Sequence, residues 1–419
     1  MNAIAPAFGC TAGGLPFEDA LHHVLALVTA PLPAERVPFA ACVGRVLAQP
    51  VHARLDLPGF DQSAMDGYAV RAIDAMPGAR LPVTGRTAAG EPPHHLVPGG
   101  AHRIFTGAPL PWGADAVIAQ ENLHRDGDVV AIAATPPAGT NLRRRGEDIR
   151  AGTVLIPAGI TLDWRHLTVL AAQGIGTVEV RRRPRVTLLS SGRELRDVGE
   201  SLAPGQIHDS NLPMLTALLA AWGAEVRPLP VVSDNAAAIG TALREASLAA
   251  DLVLTTAGIS VGEEDHVRDA LRGHGGTLAV LKVAMKPGKP LAAGRLGQAV
   301  FLGLPGNPQA ALAGAVGFLR PLLARLTGAS SPATLRARAD FSLRRKPGRT
   351  EFIPVRLAQH DTCLRATRAG PEGSGRLTPL LAADGLAMLA AWMGDLQQGD
   401  ILDVHPWLPN GFAADWPHR

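Results

Sequence analysis

The chain has 419 residues and a formal net charge of +3, and 47% of its residues are hydrophobic while 18% are charged. This composition is typical of a folded protein of several domains and excludes an extensively disordered chain. The arginine-rich runs at residues 143–145 and 181–183 are short and lack interleaved aromatic side chains, so the sequence does not support nucleic-acid binding.

The N-terminal region begins with a helical pattern at residues 17–28, where Ala20, Leu21, Val24 and Leu25 recur at helical spacing. Between residues 64 and 149, short β-like runs alternate with Gly/Pro turns, as in a small, mainly β domain. A second helical pattern at residues 164–172 returns the chain to the first domain. We therefore predict a discontinuous N-terminal domain of residues 15–50 and 150–182, into which a β-rich domain of residues 51–149 is inserted.

The next region predicts alternating strands and helices. Strands are expected at residues 186–190, 225–232, 252–255, 278–283 and 299–304, and helices at residues 212–222, 235–249, 265–271 and 307–326. Such alternation indicates a doubly wound, mostly parallel sheet, here over residues 183–328. A β-rich pattern over residues 332–408 predicts a small C-terminal β domain. The predicted fold class is therefore α/β multidomain, with an extended N-terminal domain that carries the β-rich insertion.

Cysteines and apolar stretches bear on the cellular setting. Cys10, Cys42 and Cys363 are far apart and have no metal-ligand spacing, which favours a reduced, cytosolic protein. No uninterrupted apolar stretch reaches the roughly 18 residues of a membrane helix, and the N-terminus has no leader pattern. We predict a cytoplasmic protein that binds neither membranes nor nucleic acids.

Polar residues collect just after each predicted strand. The segments are residues 191–194, 233–235, 256–265, 286–290 and 303–308. Ligands of open parallel sheets bind outside the carboxyl ends of the strands. Carboxylates there suit Mg²⁺, and Gly-rich turns at helix starts suit phosphates. Each residue alone also fits a structural alternative: Asp234 and Asp265 could cap helices, and Asn307 could cap the helix that contains Pro308 in its first turn.

Three of the four lysines lie within eight residues: Lys282, Lys286 and Lys289. The chain otherwise relies on arginine, with 36 of them. Because lysine is a compact point charge on a flexible stem, the cluster indicates a site for a small oxyanion or phosphate. The alternative is a solvated turn with a chance cluster.

Seven motifs occur in one order, at residues 58–69, 103–109, 143–149, 190–194, 256–265, 286–290 and 303–308. Together they resemble the molybdopterin molybdenumtransferase family, MoeA, whose eukaryotic relatives include the gephyrin E domain. The resemblance spans about residues 17–328 and is weaker after residue 331. It implies that molybdate is inserted into adenylylated molybdopterin, with Mg²⁺-dependent release of AMP, to give the molybdenum cofactor.

The resemblance also implies roles for individual residues. The catalytic set would be Asp61, Asp148, Glu194, Asp234, Asp265, Lys282 and Lys286. Mg²⁺ would be held by Glu194, Asp234 and Asp265. Substrate would be bound by Thr106, Arg144, Ser191, Gly258, Ser260, Gly262, Lys289, Pro305, Gly306 and Pro308. An elongated homodimer is implied in which the β insertion of one subunit faces the molybdopterin site of its partner, with further transfer contacts to other proteins of cofactor biosynthesis.

Two departures from the family pattern bear on these roles. Arg193 stands where the family usually has an acidic residue before Glu194, and this cation would weaken metal affinity or pair with Glu194. Ala257 replaces a glycine that is common in the loop at residues 256–265.

Two other functions remain open from the sequence. One is the preceding step, adenylylation of molybdopterin, although such an enzyme would not need the N-terminal, inserted and C-terminal domains. The other is a non-catalytic carrier or scaffold for molybdopterin, which would not require acidic residues at strand ends.

Overall fold

The computed structural model describes residues 14–232, 235–256 and 266–407. Its helices are α1 Phe17–Ala26, α2 Trp164–Ala172, α3 Asn211–Ala221, α4 Ala236–Ala249, α5 His266–Gly273, α6 Pro308–Gly314, α7 Arg320–Thr327 and α8 Thr378–Ala382. A buried π-helical turn, Ala315–Leu319, joins α6 to α7 in one continuous helix.

The strands before the α/β region are β1 Ala34–Pro38, β2 Val51–His52, β3 Gln62–Ser63, β4 Gly67–Val70, β5 Arg80–Thr87, β6 Ala101–Ile104, β7 Ala116–Ala119, β8 Leu123–Asp126, β9 Val129–Ile132, β10 Leu142–Arg143, β11 Val154–Ile156 and β12 Thr177–Arg181. The α/β region contributes β13 Arg185–Ser190, β14 Leu195–Arg196, β15 Ile207–His208, β16 Glu225–Pro228, β17 Leu252–Thr256, β18 Thr277–Lys282, β19 Met285–Lys286, β20 Pro290–Leu296 and β21 Ala299–Leu304. The last strands are β22 Leu335–Ala339, β23 Thr350–His360, β24 Cys363–Arg368, β25 Gly385–Leu389 and β26 Ile401–Pro406.

The predicted insertion is a six-stranded sheet in the order β7-β4-β6-β5-β9-β8. Glycine is required at position 67, where β4 pairs with β7, because a Cβ on Gly67 would lie 2.0 Å from the carbonyl oxygen of Ile118. Just outside this sheet, β2 pairs with β11 and β1 pairs with β12, both antiparallel. These pairings hold the segments before and after the insertion side by side.

The α/β region confirms the predicted doubly wound, mostly parallel sheet. Its order is β16-β13-β17-β21-β20-β18, and β16, β13, β17 and β21 run parallel. Helices cover both faces: α1, α3 and the long helix Pro308–Thr327 pack on one face, and α4 and α5 on the other. We keep the bounds of the four domains as a proposal, and note that α1 packs into the α/β core.

Two expectations for this sheet were wrong in detail. The sequence analysis missed β20, which runs antiparallel to β21. Its alanines and glycine have low strand propensity, yet Gly294 is required there, since a Cβ would lie 1.7 Å from the carbonyl oxygen of Thr277. The strand expected to reach residue 232 ends at Pro228, because Pro228 and Pro230 offer no N–H to a ladder.

The long helix lies at the centre of the molecule. Among the described residues Pro308–Thr327 is long and apolar enough to cross a membrane, but 78% of its apolar window is buried in the protein's own core. Phe318 on this helix lies 4.9 Å from the Phe17 ring centroid, and Phe17 lies 5.5 Å from that of Phe352 in β23. Three aromatic rings thus join the N-terminal helix, the α/β sheet and the C-terminal domain.

The C-terminal domain is a closed sheet. Its strands follow the order β23-β24-β22-β26-β25, and β25 pairs back with β23. The short strand β19, which belongs to the α/β region, adds to this sheet parallel to β23.

Replacing Phe318 with alanine tests the aromatic junction. The side chain is fully buried, so the variant should lose about 3–5 kcal/mol of unfolding free energy through lost contacts and a residual cavity. Urea denaturation followed by circular dichroism measures the change. Leu248→Ala, at a side chain that is 82% exposed, is the control and should leave the midpoint nearly unchanged. Equal midpoints for both variants would contradict the junction.

Candidate functional site

A cavity of about 500 Å³ lies between the α/β region and the C-terminal domain. Its walls come from the loop after β18 (residues 285–290), the turn and helix start after β21 (residues 305–310), and two C-terminal segments (residues 349–354 and 368–374). The predicted rim at the carboxyl ends of the parallel strands is therefore completed by a second domain.

The position of Lys286 is set by strand pairing. In the register of β19 with β23, Lys286 lies beside Glu351, and its Nζ is 3.5 Å from Glu351 Oε2. Glu351 is buried, and its Oε1 accepts from Nε of Arg345 at 3.2 Å. The Arg345 side chain is itself buried and donates to the carbonyl oxygens of Ala390 (2.9 Å) and Met393 (2.8 Å). Lys286 therefore contacts a carboxylate that belongs to a fixed, buried ion pair between Glu351 and Arg345.

A second carboxylate, that of Glu372, also lies within ion-pair distance of Lys286. Oε1 of Glu372 lies 3.8 Å from Lys286 Nζ and 3.5 Å from an Nη of Arg368. Glu372 is more than half exposed, whereas Glu351 is almost completely covered. Lys286 therefore lies between one permanent and one solvent-accessible counter-charge.

The C-terminal domain is tied to the helix start by polar contacts. Asn307 Nδ2 donates to Ser374 Oγ at 3.2 Å, and the N–H of Gln309 donates to the Ser374 carbonyl oxygen at 3.0 Å. Asn307 is the N-cap residue of α6 and Pro308 lies in its first turn, as the structural alternative predicted, but the Asn307 side chain makes no cap hydrogen bond. Its amide instead holds the loop that carries Glu372.

The lining has a positive surplus. Among the described residues, the lining holds four cations, Lys286, Lys289, Arg349 and Arg368, and two carboxylates, Glu351 and Glu372, so the formal charge of this described lining is +2. Prolines, glycines and Phe352 supply most of the remaining surface. A cavity of this charge and size is suited to an anion that carries two negative charges beside a larger, partly apolar group.

A separate polar cluster lies on the insertion. Asp61 Oδ2 accepts from Arg144 Nη1 at 2.7 Å, and its Oδ1 accepts from the N–H of Arg145 at 2.8 Å. The Arg145 N–H holds the pKa of Asp61 below its usual range, and the Arg144 guanidinium lowers it further, against the opposing effect of partial burial. Asp61 is therefore ionised at neutral pH.

Thr106 is held near this cluster by Asp66. Both the N–H and the Oγ1 of Thr106 donate to Asp66 Oδ1, at 2.7 and 2.8 Å, and the adjacent Gly107 N–H donates to the Ser63 carbonyl oxygen at 2.9 Å. Asp148 is exposed, and its N–H donates to the carbonyl oxygen of Leu57 at 3.1 Å. The sequence analysis missed Asp66, because Asp66-Gly67 fits a simple turn.

The predicted carboxylates at the strand ends are only partly within the described residues. Ser191 is buried at the end of β13 and Glu194 is exposed; Asp234, Gly258, Ser260, Gly262 and Asp265 lie outside the described residues. In the part of the chain that the structure describes, no three His, Cys, Asp or Glu residues form a metal-binding group.

Two buried oxygen atoms near the carboxyl ends of the parallel strands have no hydrogen-bond partner among the described residues. Buried Asp209 uses Oδ1 to accept from the N–H groups of Asn211 and Leu212, while its Oδ2 has no hydrogen-bond partner among the described residues. Asn211 Nδ2 donates to the Gly306 carbonyl oxygen at 2.6 Å and so ties α3 to the turn after β21. Thr255 Oγ1, near the end of β17, is also buried, and it has no partner in the part of the chain that the structure describes.

The other predicted residues of this region divide between two positions. Lys286, Lys289 and Pro305 line the cavity, whereas Lys282, Gly306 and Pro308 lie outside its lining. Sequence reasoning missed Arg349, Glu351, Arg368 and Glu372. Residues 344–351 did carry a signal, since this dense basic turn contains the fourth lysine of the chain, Lys346.

Comparisons with known proteins cover nearly the whole chain. Family models match residues 15–174 (MoeA N-terminal region, domain I and II), 192–325 (probable molybdopterin binding domain) and 336–407 (MoeA C-terminal region, domain IV). A molybdopterin molybdenumtransferase of Nostoc sp. is 38% identical over 85% of this chain and 84% of its own length. The Haemophilus influenzae protein of the same name is 34% identical over 94% and 98%. A crystal structure of the molybdopterin biosynthesis moeA protein from Pyrococcus horikoshii OT3 superposes with a TM-score of 0.82 and 28% identity, covering 93% of this chain and 99% of that one.

Arg144→Met tests the electrostatics of the insertion cluster. Without the guanidinium, the pKa of Asp61 should rise toward the usual value of about 3.9, but stay below it because the Arg145 N–H remains. A lowered pKa contributes stability that is present above the unfolded-state pKa and is lost as pH falls through the folded-state pKa. The variant should therefore lose less stability on acidification, and the loss should be complete at a higher pH than in the wild-type protein. NMR titration of the Asp61 carboxyl carbon measures the pKa, with Arg143→Met as the control. An unchanged pKa in Arg144→Met would contradict the assignment.

Proposed function

The chain belongs to the MoeA family of molybdopterin molybdenumtransferases, and we infer from this that it is a transferase that inserts molybdenum into molybdopterin. The observation that carries this function is the cationic cavity between the α/β region and the C-terminal domain. We propose further that the pterin substrate is adenylylated and that AMP is released as molybdenum enters.

Molybdate is a tetrahedral dianion, and the lining of the cavity suits it. We propose that Lys286, Lys289 and Arg349 bind its oxygen atoms. Lysine ammonium groups act as movable point charges and arginine as a planar fork, so together they can follow the oxyanion as its oxygen atoms are exchanged for sulfur. Lys282, outside the described lining, is proposed to receive phosphate or dithiolene charge from the adjoining strand.

Charge is the main obstacle to the reaction. Molybdate, the dithiolene and the adenylate phosphate are all anionic, and two like unit charges 4 Å apart repel by about 4 kcal/mol at an effective dielectric constant of 20. The four cations of the lining, held in place before substrate arrives, lower this repulsion without reorganisation in the reaction step. Glu351 and Arg345 fix Lys286, so the chain supplies a prearranged site without a protein nucleophile.

Mg²⁺ is implied by the family, and the residues fit it. Glu194, Asp234 and Asp265 are all carboxylates, the ligand type that this ion prefers. Asp209 Oδ2, which is buried and has no partner among residues 14–232, 235–256 and 266–407, supports a cation near the ends of the parallel strands. We propose that the three predicted carboxylates hold Mg²⁺, which would neutralise charge on the adenylate phosphate when bound.

The insertion cluster needs a partner subunit to reach the cavity. The hydrogen-bond partners of Asp61, Thr106 and Arg144 in the described chain all belong to the insertion, and no residue of the insertion lines the cavity. We therefore propose a homodimer in which the insertion of one subunit closes the site of the other. We also propose a cytoplasmic location and transfer contacts with other proteins of molybdenum cofactor biosynthesis.

Lys286→Ala should reduce molybdenum insertion by about 10²-fold or more, since it removes a prearranged cation, while thermal unfolding stays nearly unchanged. Molybdate-dependent AMP release from adenylylated molybdopterin, measured together with active cofactor, provides the readout. Lys346→Ala is the matched control, because Lys346 is exposed and does not line the cavity. Full activity in Lys286→Ala would remove this residue from the site. Pterin binding by the wild-type protein without AMP release would instead favour the carrier function.

Co-expression of Asp61→Asn with Asp234→Asn tests the shared site. Random pairing makes half of the dimers mixed, and each mixed dimer regains one intact site, so about one quarter of wild-type activity should return. Asp61→Asn with Asp148→Asn is the matched control: both changes lie on the insertion, and every site would remain damaged. Equal activity in the two mixtures would place each site within one subunit.

A further inference from the structure

Two carboxylates contact Lys286, and they differ in how firmly they are held. Glu351 is 7% exposed at its side chain and Glu372 is 56% exposed. Both lie within ion-pair distance of the same ammonium group, at 3.5 and 3.8 Å. The difference in burial gives them different roles toward an incoming anion.

Glu351 is a permanent part of the site. Its charge is balanced by Arg345, whose guanidinium is buried and also donates to three backbone carbonyl oxygens, those of Ala390, Met393 and Arg349. Moving Glu351 would leave a buried guanidinium unpaired, which is costly. Because Glu351 is shared between Arg345 and Lys286, it balances the charge of Lys286 only in part.

Glu372 balances the positive charges of Lys286 and Arg368 only weakly. Its Oε1 lies between Lys286 Nζ and an Nη of Arg368, at 3.8 and 3.5 Å, which is longer than a charge-assisted hydrogen bond. Exposed ion pairs of this kind contribute little and are easily exchanged. Glu372 lies on the loop between β24 and α8. Gly370 and Gly373 of the same loop both have positive φ, at 157° and 145°.

We propose that the Glu372 carboxylate is an internal competitor for the oxyanion of the substrate. In the free protein its oxygen atom lies between two cations of the cavity, where an oxygen of a tetrahedral dianion would make the same contacts. Substrate must displace it, so Glu372 sets the affinity of the cavity for oxyanions and disfavours monoanions that bind no better than a carboxylate. This inference rests on the proposed function of the cavity as the molybdate site.

Replacing Glu372 with glutamine keeps the shape of the side chain and removes its charge. The variant should bind molybdate with a Kd about two- to fivefold lower than the wild-type protein, the range expected for removing one exposed competing charge. Equilibrium dialysis of the full chain against molybdate, with molybdenum measured by mass spectrometry, gives the Kd. Asp361→Asn is the control: it removes one negative charge from an exposed side chain of the same domain, outside the lining of the cavity.

A second comparison identifies the cations involved. In an Arg368→Gln background, the gain from Glu372→Gln should shrink, because one of the two contacts of the carboxylate is already gone. The gain should persist in a Lys346→Ala background, which changes a cation outside the lining. Equal gains in both backgrounds would overturn the assigned contacts.

The outcomes separate this inference from the proposed function. An unchanged or higher Kd in Glu372→Gln, with binding still lost in Lys286→Ala, overturns the competitor role and leaves the molybdate site in place. Molybdate binding that is absent from the wild-type protein and from Glu372→Gln overturns both. A lower Kd in Glu372→Gln but not in Asp361→Asn supports both.

Discussion

The parallel pairing of β19 with β23 is the contact on which the candidate site depends. Two residues of the α/β region, Met285 and Lys286, extend the sheet of a different domain. Backbone hydrogen bonds fix register within a fraction of a residue spacing, and a slip by one residue would turn Lys286 to the opposite face. The ion pair with Glu351 follows from this register. The cavity thus forms where the segment that follows β18 of the α/β sheet pairs, through β19, with β23 of the C-terminal sheet.

Burial then assigns different tasks to similar charges. Arg345 and Glu351 are covered on all sides and act as fixed supports, since separating them would leave an unpaired charge in the interior. Lys286, Arg349 and Arg368 are accessible and can exchange partners. The same contrast separates Glu351 from Glu372, although both contact one ammonium group. A rigid support behind an exchangeable surface is the arrangement that an anion-transfer site requires.

The polar cluster of the insertion and the cavity have no residue in common, and this separation is the basis of the proposed dimer. The insertion holds Asp61, Thr106 and Arg144 by contacts of its own. The start of the insertion contacts the N-terminal domain through the β2–β11 pair and through hydrogen bonds of Gln173 with Arg54 and Leu55. The aromatic contacts of Phe17, Phe318 and Phe352 join the N-terminal helix, the long helix and strand β23 in one hydrophobic cluster. Asp61, Thr106 and Arg144 are held in place within the insertion. They gain a chemical role when a second subunit brings its cavity to them, and for this reason we propose a dimer.

Local periodicity was sufficient to predict much of the fold. The helix at residues 164–172, the strand at residues 299–304 and the long apolar helix after it all follow from spacing and from Gly/Pro punctuation. The strand β20 did not, because its small residues are selected by close packing against β18 and not by strand propensity.

The sequence by itself determined the order of the elements, the family, and the clustering of three lysines in one turn. Only the tertiary structure decided which of them meet a partner. Lys286 and Glu351 are 65 residues apart in the chain, and Glu372 follows 21 residues later. No local pattern encodes such contacts, because they arise when strand register and burial bring distant segments together, and the energy of a charge depends on the surroundings that the fold creates.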